Sequence, residues 1–202
     1  RALLRQDPDV ILIGEIRDAD TATMALRAAL TGHQVFATLH ANSIFGALPR
    51  LHEIGIGPEL LAGNLCGILA QRLVRRLCAA CREPVPDDAP ERRLPGLADA
   101  APPPPSWRAR GCPECDFRGY RGRLAIMEIL PFDAALDELV ARRASPGELR
   151  AAARACGHRS LAEDGLRRVL DGSTSLAELA RVVDLSALAA MPAADVAQGG
   201  IA

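Results

Sequence analysis

The chain has 202 residues, a formal net charge of −1, and a composition that is 49% hydrophobic but only 3% aromatic. This length suffices for one ordinary domain or two small ones with an aliphatic core. The near-neutral charge excludes the global basic field that favours nucleic-acid binding. No apolar run approaches the roughly 20 residues of a membrane-spanning helix and no signal peptide opens the chain, so we expect no transmembrane segment.

The first forty residues have a strand–helix–strand pattern. Residues 10–13 form a short apolar run that is typical of a buried parallel strand, and residues 34–39 form a second. Between them, Asp20 can cap a helix over residues 21–30, and Gly32 stands where the helix should end. This order predicts an α/β fold that contains a right-handed βαβ unit.

Two further helices are expected after this unit. Ser43 is a candidate N-cap for the first, which Pro49 should kink or split. Pro58 fits the first turn of a longer helix that runs to about Leu77 with one apolar face. Cys66 falls on that face and should be a small core residue.

Four cysteines in two C-x-x-C pairs bracket a Pro-rich and acidic stretch in the middle of the chain. In a chain without a leader, such pairs favour a metal site over disulfides. Two knuckles with two thiolates each complete a tetrahedral Zn²⁺ site with no open position. We therefore predict a structural zinc that supports folding rather than catalysis, with the ligands Cys78, Cys81, Cys112 and Cys115.

The rest of the chain should form short helices. Three Ser-x-x-Glu pairs predict helix starts at Ser145, Ser160 and Ser175. Beyond about residue 185 the sequence is Ala-rich with little pattern, which predicts a frayed tail. Cys156, near a helix end, has no ligand partner nearby in sequence and is expected to be an ordinary thiol.

An acid and a histidine follow the two predicted strands. Glu15 lies just past the first strand and His40 ends the second. Ligands of parallel α/β sheets gather at the carboxyl ends of the strands, so the two side chains should share one crevice if the strands are neighbours. A carboxylate there suits Mg²⁺ or an attacking water beside a nucleotide phosphate, and an imidazole can sense the γ-phosphate. Spacing alone also allows a solvated acidic loop and a half-buried polar histidine.

Longer motifs resemble one known family. "DPDVILIGEIRD" is similar to the Walker B segment, and "TGHQVFATLHANS" to the His box, of the ATPases that drive type II secretion and type IV pilus assembly (the GspE/PulE family). "LAQRLVRRLC" resembles the helix that leads into the family's metal domain. "GCPECDFRGYRGRLAIMEIL" and "RSLAEDGLRRVLDGSTSLAEL" resemble the segments that follow. The likeness covers roughly residues 1–183 in the family's order.

The resemblance implies part of a hexameric, RecA-like motor that hydrolyses ATP with Mg²⁺. Glu15 then corresponds to the Walker B acid, and His33 and His40 to the two His-box histidines. Arg17 and Arg72 lie in matching segments and are candidates for phosphate contact, with ordinary ion pairing as the alternative. Such motors act on inner-membrane platform proteins, so the resemblance implies a cytoplasmic protein peripheral to the inner membrane, without nucleic acid.

The resemblance also implies an order of domains. Residues 1–77 would be the C-terminal part of the RecA-like ATPase domain, and residues 78–131 a four-cysteine zinc module with a Pro-rich insertion. Residues 132–185 would form a small helical domain, and residues 186–202 a disordered tail.

The family's phosphate-binding loop, G-x-x-x-x-G-K-[ST], is missing from these 202 residues. All 24 basic residues are Arg, so the loop's Lys is absent. The chain also opens with Arg inside a structured pattern, so we expect a fragment that alone neither binds ATP tightly nor hydrolyses it.

Three alternatives remain open at this stage. The motor could serve type II secretion, through pseudopilus assembly, or type IV pilus assembly. Arg and Tyr residues in "FRGYRGR" beside the second knuckle would also fit a zinc-containing nucleic-acid-binding module. A third alternative is an inactive truncated remnant that folds without activity.

Overall fold

The computed structural model describes residues 8–41, 43–86, 89 and 106–190. These residues form two compact units, each made of two stretches of chain. The first unit contains the residues up to 70 together with 129–158. The second contains 71–128 together with the residues from 159 onward. These units group residues 129–158 with the first part of the chain, and the domain order inferred from the resemblance stays a prediction. Most of the Pro-rich insertion lies outside the described residues.

The βαβ unit of the first unit is confirmed. Strand β1 (Val10–Ile13) and strand β2 (Gln34–Ala37) pair in parallel, with Val10 opposite Gln34 and Ile13 opposite Ala37. Helix α1 (Ala19–Leu30) connects them. The carboxyl ends of both strands therefore lie at the same edge of this two-stranded sheet.

Helix α1 begins two residues earlier than predicted. Its N-cap is Asp18 rather than Asp20, because the Asp18 side chain accepts a hydrogen bond from the backbone N–H of Thr21 at 2.8 Å. An extended backbone at Asp18 turns the chain from the loop into the helix. The cap thus fixes the end of the loop that follows β1.

The predicted helix from Pro58 to Leu77 is wrong. Helix α3 (Pro58–Leu61) covers a single turn, and Gly63 beyond it has a φ of +76°, which ends the helical path. Residues 67–77 form strand β3 (Gly67–Leu77), which pairs with strand β6 (Tyr120–Pro131). Cys66 precedes β3 and is exposed, so it is not the core residue that we expected.

The first unit has an aliphatic core built mainly from helices. Helix α2 begins after the predicted cap Ser43 and is not split at Pro49. The remaining helices of this unit are α2 (Ile44–Glu53), α4 (Ala134–Ala141) and α5 (Pro146–Ala155). The buried residues that α1, α2, α4 and α5 contribute include Ala22, Leu26, Ile44, Leu48, Leu51, Leu136, Val140, Leu149 and Ala153.

The second unit joins the cysteine-rich region to the last helices. A short antiparallel ribbon consists of β4 (Arg82–Pro84) and β5 (Trp107–Ala109). Helices α6 (Leu161–Leu170) and α7 (Leu176–Val182) and a 3₁₀ helix (Leu185–Ala190) pack their apolar residues with β3 and β6. Leu185 and Leu188 are buried in this core, whereas a frayed or disordered tail was expected from residue 186 onward. The tail beyond residue 190 lies outside the described residues.

Two of the three predicted capping boxes are complete, and the third differs. At Ser145 and Ser160, the serine hydroxyl and the glutamate three residues later exchange hydrogen bonds with each other's backbone N–H groups. At Ser175 only the serine caps the helix. The Glu178 carboxylate turns away from the cap and accepts hydrogen bonds from the backbone and side chain of Arg75 and from the side chain of Arg181.

Glu178 is a buried anion with a full set of donors. Its side chain is 0% exposed, and five hydrogen bonds of 2.6–3.0 Å reach its two oxygens. Burial alone would raise its pKa, but the guanidinium groups of Arg181 and Arg75 outweigh it and lower the pKa of Glu178 to about 2. This carboxylate therefore links β3 to α7 as long as it stays ionised.

The Glu178 network predicts a loss of stability in acid. Because the folded-state pKa lies below the unfolded value, the contribution is complete above pH 4.5 and is lost as the pH falls toward 2. The shift corresponds to at most about 3 kcal/mol. We expect Glu178→Gln to destabilise the second unit by about that amount at pH 7, and by much less near pH 2.

Urea unfolding followed by the fluorescence of Trp107, the only tryptophan, measures this effect within the second unit. Glu83→Gln is the matched control, because Glu83 pairs with Arg108 at the surface, where ion pairs contribute less than about 1 kcal/mol. Equal losses in the two variants, or a pH-independent loss in Glu178→Gln, would contradict the prediction.

Candidate functional site

Glu15 and His40 lie at the carboxyl edge of the β1–β2 sheet. Each follows its strand by two or three residues. Two hydrogen bonds continue the pairing beyond the strands: the Ile16 N–H donates to the Thr38 carbonyl at 2.8 Å, and the Thr38 hydroxyl donates to the Gly14 carbonyl. These bonds hold the loop that carries Glu15 against the end of β2.

The structure brings the carboxylate of Glu15 and the imidazole of His40 into contact. One carboxylate oxygen, Oε1, lies 3.1 Å from His40 Nε2, and the other, Oε2, lies 2.5 Å from Arg17 Nη2. The Glu15 side chain is 22% exposed, whereas Arg17 and His40 are 76% and 89% exposed. The Glu15 carboxylate is therefore partly buried, whereas the side chains of Arg17 and His40 face solvent.

Arg17 keeps the acid ionised. Its hydrogen bond to the carboxylate holds the pKa of Glu15 below the ordinary value, against the opposing effect of partial desolvation, and the charges of Arg17 and His40 act in the same direction as that bond. Near neutral pH the group is a carboxylate, which is the form that binds Mg²⁺ or orients a water.

The other two residues predicted to lie near a nucleotide are not part of this cluster. His33 immediately precedes β2, at the opposite edge of the sheet from His40. Its Nδ1 lies 3.0 Å from the Thr31 hydroxyl and 3.0 Å from the Ala28 carbonyl, so the ring closes the C-terminal end of α1. Arg72 is an exposed residue of β3 in the second unit. Among the described residues it has no ion-pair partner.

The four cysteines of the two knuckles form one cluster. Their four sulfur atoms lie within 4.8 Å of one another. The Sγ–Sγ distances are 3.9 Å for Cys78–Cys112, 3.8 Å for Cys81–Cys115 and 3.8 Å for Cys112–Cys115. A tetrahedral site with Zn–S bonds of about 2.3 Å requires Sγ–Sγ distances of about 3.8 Å. The cluster therefore has the dimensions of a tetrathiolate metal site such as that of zinc.

The β4–β5 ribbon explains how knuckles separated by thirty residues meet. β4 begins directly after Cys81 and β5 ends three residues before Cys112, and Arg82 pairs with Ala109 in the ribbon. At the far end, the Val85 N–H donates to the Ser106 carbonyl at 2.9 Å. The ribbon thus joins the two knuckles at one end and the two sides of the insertion at the other.

The backbone around the second knuckle also fits a bound cation. The N–H groups of Gly119 and Cys112 point at Cys115 Sγ, at 3.1 and 3.3 Å. Burial raises the pKa of Cys115, but these two donors outweigh it and lower the pKa to about 7, which favours the thiolate. Gly119 is required here because its φ is +72° and a Cβ would lie 2.5 Å from Ala109 Cβ.

The protonation state of the Cys81 thiol also bears on metal binding. Burial raises the pKa of its thiol to about 12, so it would stay protonated among four sulfur atoms unless a cation balanced the charge. A metal ion that binds the cluster displaces this proton and coordinates the thiolate. The residues present therefore fit a closed metal site. The two remaining cysteines, Cys66 and Cys156, are free and exposed.

The comparison with known proteins decides the family. The sequence profile described as "Type II/IV secretion system protein" matches residues 1–181. The chain belongs to this family.

Relatives of both secretion and pilus systems are similar to the chain. Identity is 50% with the "Type II secretion system protein E" of Pseudomonas aeruginosa, over 90% of this chain and 36% of that protein. It is 48% with the "Type II secretion system ATPase E" of Vibrio cholerae (90% and 36%). It is also 48% with the "Type IV pilus assembly ATPase PilB" of Myxococcus xanthus (89% and 32%). The chain therefore spans about a third of the length of the curated relatives that it matches.

A solved structure shares the fold. The pilus retraction motor PilT with bound ADP matches with a TM-score of 0.58, over 95% of this chain and 43% of that chain, at 24% identity. This supports an α/β fold like part of that ATPase. None of the helices in the described ranges combines the length and the hydropathy of a membrane-spanning helix.

The sequence did not reveal every residue that shapes the two sites. Thr38, which fixes the Glu15 loop, stands two residues before His40 without any motif of its own. The N–H group of Gly119 could have been anticipated only from its distance of four residues from Cys115, a spacing that many loops share.

Proposed function

We propose that this chain contributes the acid-and-histidine part of an ATP-hydrolysing motor for type II secretion. The 3.1 Å contact between Glu15 and His40 at the carboxyl edge of a parallel sheet carries the proposal. Support comes from the family, whose members in Vibrio cholerae and Myxococcus xanthus are named as ATPases. The 50% identity to a type II secretion protein supports secretion as the proposed system, and pilus assembly is the alternative, with 48% identity to a pilus assembly ATPase.

In the proposed mechanism, ATP and Mg²⁺ supply the γ-phosphate and its charge neutralisation. Glu15, already ionised, orders Mg²⁺ through water or orients the attacking water and receives its proton. Both carboxylate oxygens are engaged here, one by Arg17 and one by His40. Each oxygen retains a second lone pair that can accept from a water, and release of either partner would free its oxygen fully.

His40 is the partner best placed to move. Its side chain is 89% exposed, so its Nε2 can turn from the Glu15 carboxylate to a phosphate oxygen without repacking a core. That exchange would free Oε1 of Glu15 only when a phosphate is present, which couples sensing to hydrolysis. Arg17 can make the same exchange, and Arg72 is proposed to contact phosphate in the assembled motor. The predicted role of His33 stays a proposal that its position beside α1 does not support.

The larger assembly is proposed from the family alone. The chain would act as part of a hexamer, in the cytoplasm at the inner membrane, bound to platform proteins of the secretion machine. The cysteine cluster would hold a structural zinc ion in each subunit, since a closed tetrathiolate site leaves no position for substrate.

A chimera tests the proposed motor function. The 202-residue chain replaces the matching 36% of the Pseudomonas aeruginosa protein, which provides the remaining length. We expect the chimera to hydrolyse ATP. We expect the 202-residue chain alone to show no activity above background, since it lacks the Lys of a phosphate-binding loop.

Hexamer formation and binding of a fluorescent ATP analogue confirm that the chimera is assembled. An assembled, nucleotide-binding chimera without turnover would support the inactive remnant and overturn the proposal. Turnover by the purified 202-residue chain would contradict the predicted dependence on the missing loop.

A further inference from the structure

The turn between α6 and α7 lies against the cysteine cluster. This turn consists of residues 172–175, and Glu178 follows it in the first turn of α7. Nothing in its sequence ligates metal. Yet residues that flank each of the two knuckles in the sequence form hydrogen bonds to this turn. The knuckles, the flanking residues and the turn all lie within the second unit.

The first knuckle is tied to the turn on both sides. Before it, the Leu77 N–H donates to the Ser173 carbonyl at 2.9 Å, one residue from Cys78. After it, Arg82 Nη1 donates to the Gly172 carbonyl at 2.6 Å, one residue from Cys81. The path of the chain through both ligands of this knuckle therefore depends on the position of the turn.

The second knuckle is tied to the turn through Tyr120. The Tyr120 hydroxyl lies 2.6 Å from the Ser175 hydroxyl. Tyr120 directly follows Gly119, whose N–H donates to Cys115 Sγ. The Arg75 guanidinium stacks 4.2 Å above the Tyr120 ring and also binds Glu178, so Tyr120 is held at one ring face and at its hydroxyl.

The packing at Gly172 is close and favours glycine. A Cβ there would lie 2.6 Å from Arg82 Nη1 and 2.8 Å from the ring of Trp107, and the φ of +72° favours glycine. The Arg82 guanidinium stacks 4.7 Å from the Trp107 ring, so Arg82 of β4 and Trp107 of β5 pack together against the turn. These groups touch no sulfur atom, and their contacts depend on the shape that the knuckles give to the ribbon.

We infer that metal binding at the cysteine cluster and docking of the α6–α7 turn form one coupled equilibrium, so that the metal orders this turn as well as the knuckles. This inference rests on the proposed metal site. Loss of the metal would release the ribbon, and with it the partners of Gly172, Ser173 and Ser175. Because coupling is reciprocal, docking of the turn must strengthen metal binding by the factor by which the metal strengthens docking, so weakening the contacts at the turn must weaken metal binding.

Hydrogen exchange on the 202-residue chain tests the forward direction. Removal of zinc with a chelator is expected to speed amide exchange in peptides covering residues 171–182 at least about 10-fold, because local opening becomes accessible. Peptides covering α1, in the first unit, should change little. Full protection of residues 171–182 after zinc removal, verified by metal analysis, would overturn the inference.

Two variants test the reverse direction. Arg82→Gln removes both the bond to Gly172 and the stacking on Trp107, and should weaken Zn²⁺ affinity roughly 5- to 150-fold in competition with a chromophoric chelator. Arg108→Gln is the matched control on the same ribbon, since within the described part of the chain its guanidinium pairs with Glu83 alone, and it should leave the affinity within about two-fold. Equal affinities for Arg82→Gln and the wild type would overturn the coupling.

Cobalt substitution separates the two possible failures. A wild-type chain that binds Co²⁺ with the thiolate-to-metal charge-transfer band, but shows neither effect, refutes the coupling and leaves the metal site standing. A wild-type chain without that band refutes the metal site, and the coupling with it.

Discussion

Exchanging Glu15 for Gln in the chimera is expected to lower ATP turnover at least about 100-fold while nucleotide affinity stays within a few-fold. The amide keeps the size of the carboxylate but cannot accept the proton of an attacking water or supply the charge that Mg²⁺ requires. The loss falls on turnover because the residue is proposed to act on the reacting water rather than on the nucleotide's base or sugar.

Steady-state hydrolysis, together with binding of a fluorescent ATP analogue, separates these two quantities. Asp20→Asn is the matched control, because Asp20 is an exposed acid in the first turn of α1, five residues from Glu15, and loses the same charge. It should retain turnover within about two-fold, the range typical of surface changes. Unaltered turnover in Glu15→Gln would refute the assignment of the acid.

The pairing of Glu15 and His40 was predictable because it depends on local rules. Two apolar runs separated by one capped helix predict neighbouring parallel strands, and the residue that follows each strand must then lie at the same edge. The contact between Glu15 and Arg17 does not follow from such local rules. A side chain that is 76% exposed has many alternative rotamers, and spacing does not select among them.

The cysteine cluster was predictable for a similar reason. The C-x-x-C spacing places two thiolates on one tight turn, and two such turns allow few arrangements other than a four-sulfur site. The pairing of β4 with β5 brings the two knuckles together.

Long-range partners account for the errors. Leu61, Leu65 and Leu69 repeat with helical spacing, but residues 67–77 lie in a strand because their partner is β6, about fifty residues further along the chain. Tertiary pairing overrides a local period in such cases. Glu178 is a second example: its sequence predicts a capping box, but its carboxylate binds Arg75, 103 residues earlier in the chain.

Long-range contacts also determine which residues belong to each of the two units. The resemblance implied a helical domain over residues 132–185, whereas Leu136 and Leu149 lie in the core of the first unit. Apolar periodicity shows that a helix has a buried face, but not which core that face joins.

Removing one ligand of the cysteine cluster is expected to have the largest effect on the second unit. The purified chain should contain about one zinc ion, and Cys115→Ser should hold less than half an equivalent. Affinity should fall by more than about 100-fold, since even changes to groups that merely orient ligands cost roughly 10- to 100-fold. Metal analysis and the Co²⁺ charge-transfer band measure both quantities.

The structural consequence distinguishes a metal-dependent fold from a cluster of reduced thiols. Cys115 Sγ accepts the N–H groups of Cys112 and Gly119, and a serine oxygen with a shorter bond to Cβ would still accept them without binding zinc tightly. Suppose that Trp107 fluorescence shows a loss of folded structure in Cys115→Ser but not in Cys156→Ser. That loss would therefore follow from loss of the ion rather than from loss of a hydrogen bond. Cys156 is free and exposed outside the cluster, so its variant controls for removal of a thiol. A Cys115→Ser chain that unfolds in urea like the wild type would show that the cluster contributes no folding energy through a metal.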